Sequence, residues 1–269
     1  MASDIFDIVI RGGEVADVAS GSIAPANIGI NGDRIARVTG QGIDGRAEID
    51  ASGLIVSPGF IDFHSHVDGN PWSAECMLRQ GGTTTLGGER NLNSRVIRRI
   101  EDEGFPINQG FSVSHSFVLR NAVGVQPNSP ATDQQIRAMA DLAERFLEHG
   151  AFAIHFGLEL IPGTSYDEIL ALSRVAKRYD RPILVHLRKD GREALQCFDE
   201  IIRVCEETGV KAQILHLLYM VGIGGVMENA LGILDDARAK GLDLTADSPI
   251  YDAFTACIGT GIFDDGWET

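Results

Sequence analysis

His64 and His66 stand two apart at the close of a short apolar run. Imidazole is the commonest metal-ligating side chain, and residues i and i+2 of a strand face the same way, so such a pair is placed to chelate one ion. Alone, His-x-His is weak evidence. It gains weight because His186 and His216 also close short apolar runs, and parallel strands would bring all four imidazoles to one mouth. His115 and His155 fall late in two further runs and read either as contacts to a substrate or its neighbours, or as hydrogen-bonded structural histidines. Only His149 sits apart, beside Gly150 at a helix end, where it complements the helix dipole. Asp68, just behind the first pair, is placed to orient a ligand imidazole through its other nitrogen, or to cap its loop.

The elements that would position these residues are legible from Pro58 onward. Apolar runs at 60–63, 83–87, 110–114, 152–156, 183–185, 211–215 and 242–246 predict seven strands. Between them lie amphipathic helical segments. The clearest opens with a capping-box pattern at Thr132 and Gln135 and closes at Gly150; others span about 165–179 and 191–208. Repeated strand-helix units imply parallel strands with right-handed crossovers, in a doubly wound sheet or a closed barrel. Either architecture collects chemistry at the carboxyl ends of the strands. Before Pro58 the chain shows short alternating strands broken by Gly, Asn and Asp, with Asn31-Gly32 as a hairpin signal, and this predicts a small antiparallel sheet.

Composition bounds the function. With 269 residues, 44% of them hydrophobic, the chain can bury a large core. A formal net charge of −15 excludes nucleic acid as the natural partner, because phosphate backbones recruit Lys and Arg. Residues 1–7 show no basic segment leading into an apolar run, and no apolar stretch approaches the roughly 20 residues of a membrane span. The expectation is a cytoplasmic protein acting on a small molecule, with no membrane or nucleic-acid partner and homo-oligomerisation left open. Cys76, Cys197, Cys205 and Cys257 form no Cys-x-x-Cys pair and read as buried free thiols.

The stretch 55–66, Ile-Val-Ser-Pro-Gly-Phe-Ile-Asp-Phe-His-Ser-His, is similar to the entry into the barrel of the amidohydrolase superfamily. Within it, residues 150–163 with Gly-Leu-Glu-Leu-Ile-Pro-Gly, 185–191 with His-Leu-Arg, 213–217 with the sixth-strand His and 241–247 resemble the N-acyl-D-amino-acid deacylases. The resemblance implies a (β/α)8-type TIM barrel over 58–269, with about seven strands present, and residues 1–57 as the N-terminal part of a small β-sandwich. It also implies zinc-dependent hydrolysis of an amide C–N bond. His186 and His216 would hold a tight zinc, and His64 and His66 a weaker neighbouring site. Arg188 would take the substrate carboxylate, with Tyr219 and His155 as further substrate contacts.

Three departures accompany the resemblance. Where the deacylases place a cysteine ligand after strand two, this chain has Gly87-Gly88-Glu89-Arg90, so Glu89 is taken as the replacement ligand, against an ion pair with Arg90 or Arg95. Leu160 and Leu218 stand where a carboxylate-binding Tyr and Lys are usual, with Tyr219 one step beyond. The superfamily's strand-eight aspartate has no counterpart; Asp247 follows strand seven and is not given its role, so the catalytic base is expected beyond Thr269. Two alternatives stay open: a cyclic-amide hydrolase of the hydantoinase or dihydroorotase kind, which would place a lysine where His155 and Glu159 stand, and a non-catalytic metal-binding barrel.

Overall fold

A tight turn at Gly32, whose φ is +56°, reverses the chain between two of its first strands. The Asn31 side chain accepts from the Asp7 amide and Asp7 accepts from the Gly32 amide, which fixes the turn against β1. The computed structural model describes residues 5–87, 94–222, 224–251 and 253. The chain divides into two units, Met1–Phe60 and Ile61–Thr269.

The first unit is one sheet of β1 (Ile5–Asp17), β2 (Ser22–Asn31), β3 (Arg34–Thr39), β4 (Asp44–Asp50) and β5 (Ile55–Val56). β1 pairs β2 and β2 pairs β3 antiparallel, but β4 and β5 both run parallel to β1. The sheet is therefore mixed, not the antiparallel sheet predicted. Hairpins make antiparallel neighbours, whereas β4 is reached by a crossover to the opposite edge of β1 and so runs with it. Phe6, Val9 and Ile43 form its small buried cluster.

The second unit alternates strands and helices: β6 (Phe60–Asp62), α1 (Pro71–Arg79), β7 (Gly82–Gly87), α2 (Ser94–Glu103), β8 (Asn108–Phe111), β9 (Val113–Ser114), α3 (Arg120–Ala122), α4 (Asp133–Glu148), β10 (Ile154–Gly157), α5 (Tyr166–Arg178), β11 (Ile183–His186), α6 (Ala194–Thr208), β12 (Ala212–Ile214), α7 (Met227–Ala239) and β13 (Leu244–Ala246). Neighbours run β6-β7-β8 and β9-β10-β11-β12-β13, with β7–β8 and every pair of the second set parallel. β8 and β9 are one strand interrupted at Ser112, whose amide donates to the Gly87 carbonyl at 2.7 Å. Every strand predicted after Pro58 has its counterpart, and the parallel α/β order is the one expected.

Helix boundaries follow the local chemistry. Thr132 and Gln135 form the capping box that opens α4, and the chain leaves it at Gly150 with φ +94°. The His149 ring donates to the Arg145 carbonyl at that end. Ser165 caps α5 by accepting from the Glu168 amide. The core lies between the strands and α4 to α7, with Phe156, Phe198, Met139, Leu172 and Ile201 fully buried. Of the thiols only Cys205 is buried; Cys76 is exposed on the outer side of the short α1 and Cys197 is half-buried, while Cys257 lies outside the described residues. Among the described residues no helix is long and apolar enough to cross a membrane.

Candidate metal centre

Five imidazoles meet at the carboxyl ends of the strands. The His186 and His216 ring centroids are 4.5 Å apart, and His64 lies 5.2 Å from His216, 5.5 Å from His66 and 6.3 Å from His155. A small, partly open cleft lies beside them, lined by His64, His66, His155, Leu86, Ser112 and Leu184 among others.

His64 and His66 reach this cluster by a route other than strand alternation. β6 stops at Asp62, whose carboxylate accepts from the His64 amide at 3.0 Å, so both histidines lie in the following loop. That loop runs tightly against β7: the Ser65 hydroxyl bonds that of Thr85, and a side chain at Gly87 would strike the Ser65 carbonyl at 2.6 Å. Glycine at the end of β7 thus permits the close approach. Asp68 is buried in the same loop with φ +44°.

His216 follows β12 with φ +37°, a left-handed conformation that costs a non-glycine residue about 1 kcal/mol or more. Asp247, which follows β13, holds it there by accepting from the His216 amide at 2.6 Å. The same oxygen accepts from His64 Nδ1 at 3.2 Å, and the other accepts from Gln213 Nε2 at 2.6 Å. One carboxylate therefore ties the first strand end to the sixth and seventh. His186 is oriented separately, its Nε2 donating to Glu159 Oε2 at 2.5 Å.

Burial, then the neighbouring His186 and His64, push the His216 pKa down to about 2, and burial with the same kind of neighbours holds His155 well below its usual value. Burial alone would raise Asp247, but the hydrogen bonds from His64, His216 and Gln213 prevail and its carboxyl is lowered. His216 and His155 are thus neutral imidazoles and Asp247 an ionised carboxylate, the protonation states in which these groups ligate a cation. His216 Nδ1 is buried with no hydrogen-bond partner among the described residues, a costly state that a bound cation would relieve. This donor set suits zinc, which takes imidazole nitrogen and carboxylate oxygen. Among the described residues no three His, Cys, Asp or Glu side chains already converge on one point; His64 and His186 are turned to their carboxylates.

The other predicted residues fall variously. Glu89 and Arg90 lie outside the described residues. Tyr219 sits 6.2 Å from His216, ring to ring, and its hydroxyl donates to the Ala253 carbonyl. Arg188 departs from expectation: its guanidinium grips Glu200 on α6 at 2.8 and 3.0 Å and donates to the Thr164 carbonyl. β11 ends at His186, so Arg188 lies beyond the strand and is not aimed by its alternation. His115 is also apart, fully buried and donating to Glu168 at 2.6 Å beside buried Arg120.

His115 gives a pH prediction. Burial lowers its pKa, with the Glu168 hydrogen bond opposing only in part, so the folded protein keeps it neutral while the unfolded chain takes up a proton near pH 6.5. Its contribution to stability is full above that pH and is lost as pH falls towards the folded value. Thermal melts from pH 7 to pH 5 should fall less steeply for His115→Gln than for the native chain, by up to about 1.4 kcal/mol per pH unit. Identical slopes would show that His115 takes up its proton alike in the folded and unfolded states.

Sequence reasoning missed Asp247 as the bridge, the Glu159–His186 bond, and the burial of Arg120 and Glu168. Asp247 had a readable signal, since it directly follows its strand as the histidines follow theirs.

Comparison with known proteins supplies context for the cluster. The amidohydrolase family profile matches residues 55–212. A D-aminoacylase of Alcaligenes xylosoxydans xylosoxydans is 29% identical over 248 residues, 80% of this chain and 51% of that protein. The solved N-acyl-D-glutamate deacylase of Bordetella bronchiseptica, complexed with zinc and a phosphonate inhibitor, superposes with a TM-score of 0.82 at 25% identity, over 92% of this chain and 59% of that one. A D-aminoacylase described as having a binuclear metal centre superposes with a TM-score of 0.80 at 27% identity, over 91% and 59%. The chain therefore spans little more than half the length of the relatives it matches.

Proposed function

The chain belongs to the amidohydrolase family, and from that premise we propose that the whole protein is a zinc-dependent amidohydrolase that cleaves the amide C–N bond of N-acyl-D-amino acids. The observation that carries the reading is the close approach of imidazoles from successive strand ends, with the His186 and His216 rings 4.5 Å apart. His186 and His216, with Glu89 as the carboxylate ligand, would hold the tighter zinc, and His64 and His66 a second and weaker ion. Bound there, zinc supplies Lewis-acid polarisation of a carbonyl and a lowered pKa for an attacking water, towards about 7.

The chain's own residues set up that chemistry. Glu159 occupies Nε2 of His186, which leaves Nδ1 of that ring for ligation, and Asp247 orients His64 through its Nδ1. Both Asp247 oxygens are engaged, so proton acceptance from water is not assigned to it. His155 in the cleft wall and Tyr219 beside His216 are the proposed substrate contacts. We take the strands from β6 to β13 as consecutive strands of a TIM barrel, supported by the His64–Asp247 bond between the first and last, and the first unit as part of a small β-sandwich, supported by the apolar Ile23, Ile35, Val38 and Ile49 that its sheet leaves exposed.

A substrate panel tests the reading. The whole protein should hydrolyse N-acetyl-D-amino acids at least about tenfold faster, in kcat/KM, than their L-enantiomers or amides lacking the carboxylate, a difference of roughly 1.4 kcal/mol. Equal rates on carboxylate-free amides would remove the deacylase assignment and leave amide hydrolysis of another kind.

A further inference from the structure

Glu159 orients His186 from a loop, the segment between β10 and α5, and the question is what holds a loop residue to hydrogen-bond precision. The far end of that segment is Thr164, and two arginines close on it. From the core, fully buried Arg120 donates Nη1 to Thr164 Oγ1 at 3.1 Å and Nη2 to the Ser129 carbonyl at 2.5 Å. From the α6 side, Arg188 donates Nη2 to the Thr164 carbonyl at 2.7 Å. Each arginine faces a carboxylate: Arg120 Nε lies 3.4 Å from Glu168, which also accepts from His115, and Arg188 holds Glu200 in a two-point grip.

The rest of the segment is tied down as well. The Thr164 hydroxyl donates to the Ile161 carbonyl, the Gly163 amide donates to Pro127, and the Ser116 hydroxyl bonds both the amide and the carbonyl of Gly157. Gly163 lies so close to residues 128 and 129 that a Cβ there would meet the Ser129 nitrogen at 2.5 Å. The Arg120–Glu168 pair is buried and the Arg188–Glu200 pair partly so, and burying such pairs is a poor way to gain stability, since desolvation offsets most of the attraction. It is an effective way to fix geometry, because each fork accepts its partner in one orientation.

We infer that Arg120 and Arg188 clamp Thr164 from two sides and are positioning residues for Glu159, setting the orientation in which His186 meets the metal. Arg188 thereby has a role in the site without touching substrate. The inference rests on the proposed reading of His186 as a ligand. It assigns the segment's far end a share in metal affinity, although Thr164 itself carries no ligating nitrogen or carboxylate.

The test is zinc affinity, measured by titrating the metal alone into chelator-stripped protein against a competing chromophoric chelator. Glu159→Gln and Thr164→Val should each weaken zinc by about tenfold or more, the usual consequence of losing support behind a ligand, while Thr164→Ser, which keeps the hydroxyl, should stay within about threefold of native. Rescue by serine is what a merely structural role of the threonine would not give. Native affinity in Thr164→Val, or equal weakening in Thr164→Ser, would overturn the clamp. Should Thr164→Val fail to fold, Arg188→Gln on the more exposed arm carries the same expectation, about a tenfold loss, and unchanged affinity would overturn it. His186→Ala separates the two levels: if it binds zinc as tightly as native, the metal assignment itself falls, whereas loss in His186→Ala with none in Thr164→Val removes only the clamp.

Discussion

Replacing Glu168 with alanine is expected to destabilise the second unit by about 3–5 kcal/mol, the typical result of removing one partner from a buried ion pair. Glu168, Arg120 and His115 all have side chains at or near zero exposure, so neither remaining group can turn to water. The Arg120 guanidinium would keep Thr164 and Ser129 as partners but lose its only described counter-charge, and His115 Nε2 would lose its acceptor. Glu168→Gln, which keeps an oxygen acceptor without the charge, should cost less. Denaturant unfolding measures both, with the midpoint moving at constant slope. A Glu168→Ala midpoint within the equivalent of about 1 kcal/mol of native would mean that the network relaxes or hydrates and that Glu168 is not a keystone of this core.

Replacing His186 and His216 together with alanine should abolish tight zinc binding. Two imidazoles whose rings are already 4.5 Å apart, on the ends of paired parallel strands, form most of a preformed site. Native protein should retain about one equivalent after extensive dialysis, the double variant none, and His64→Ala close to one, because His64 belongs to the weaker position. Chelation should reproduce the loss thermodynamically: a ligand at a thousand times its dissociation constant stabilises the folded state by about 4 kcal/mol, and removing it lowers the melting temperature accordingly. Full zinc content in the double variant would show that the metal resides elsewhere.

The strands and their order were readable because short segments centred on apolar or β-branched residues alternate with amphipathic helical segments, as parallel strands joined by crossovers do. The histidines were readable because strand ends in this architecture share one face. What escaped the sequence is equally physical. Direction of pairing in the first unit depends on which edge of β1 the chain reaches, and no local pattern encodes that. The pairing of Arg188 with Glu200 was not legible because Arg188 lies past the end of β11, where strand parity no longer fixes the direction of a side chain. Glu168 lies on a helix face whose neighbours Ile169 and Leu172 are buried, and a charged residue there carries no sign of being paired until Arg120, 48 positions earlier, is seen beside it. Asp247 was set aside as belonging to the wrong strand for a base, and its hydrogen bonds give it a different task, orienting His64 and pinning His216 in a left-handed conformation.

Zinc-edge X-ray absorption on the metal-loaded protein tests most directly whether these histidines form the metal centre. A shell of nitrogen and oxygen at about 2.0–2.1 Å with imidazole multiple scattering, reduced in His186→Ala, is the predicted result. A sulfur shell at about 2.3 Å, or a nitrogen shell unchanged when His186 and His216 are both replaced, would contradict it.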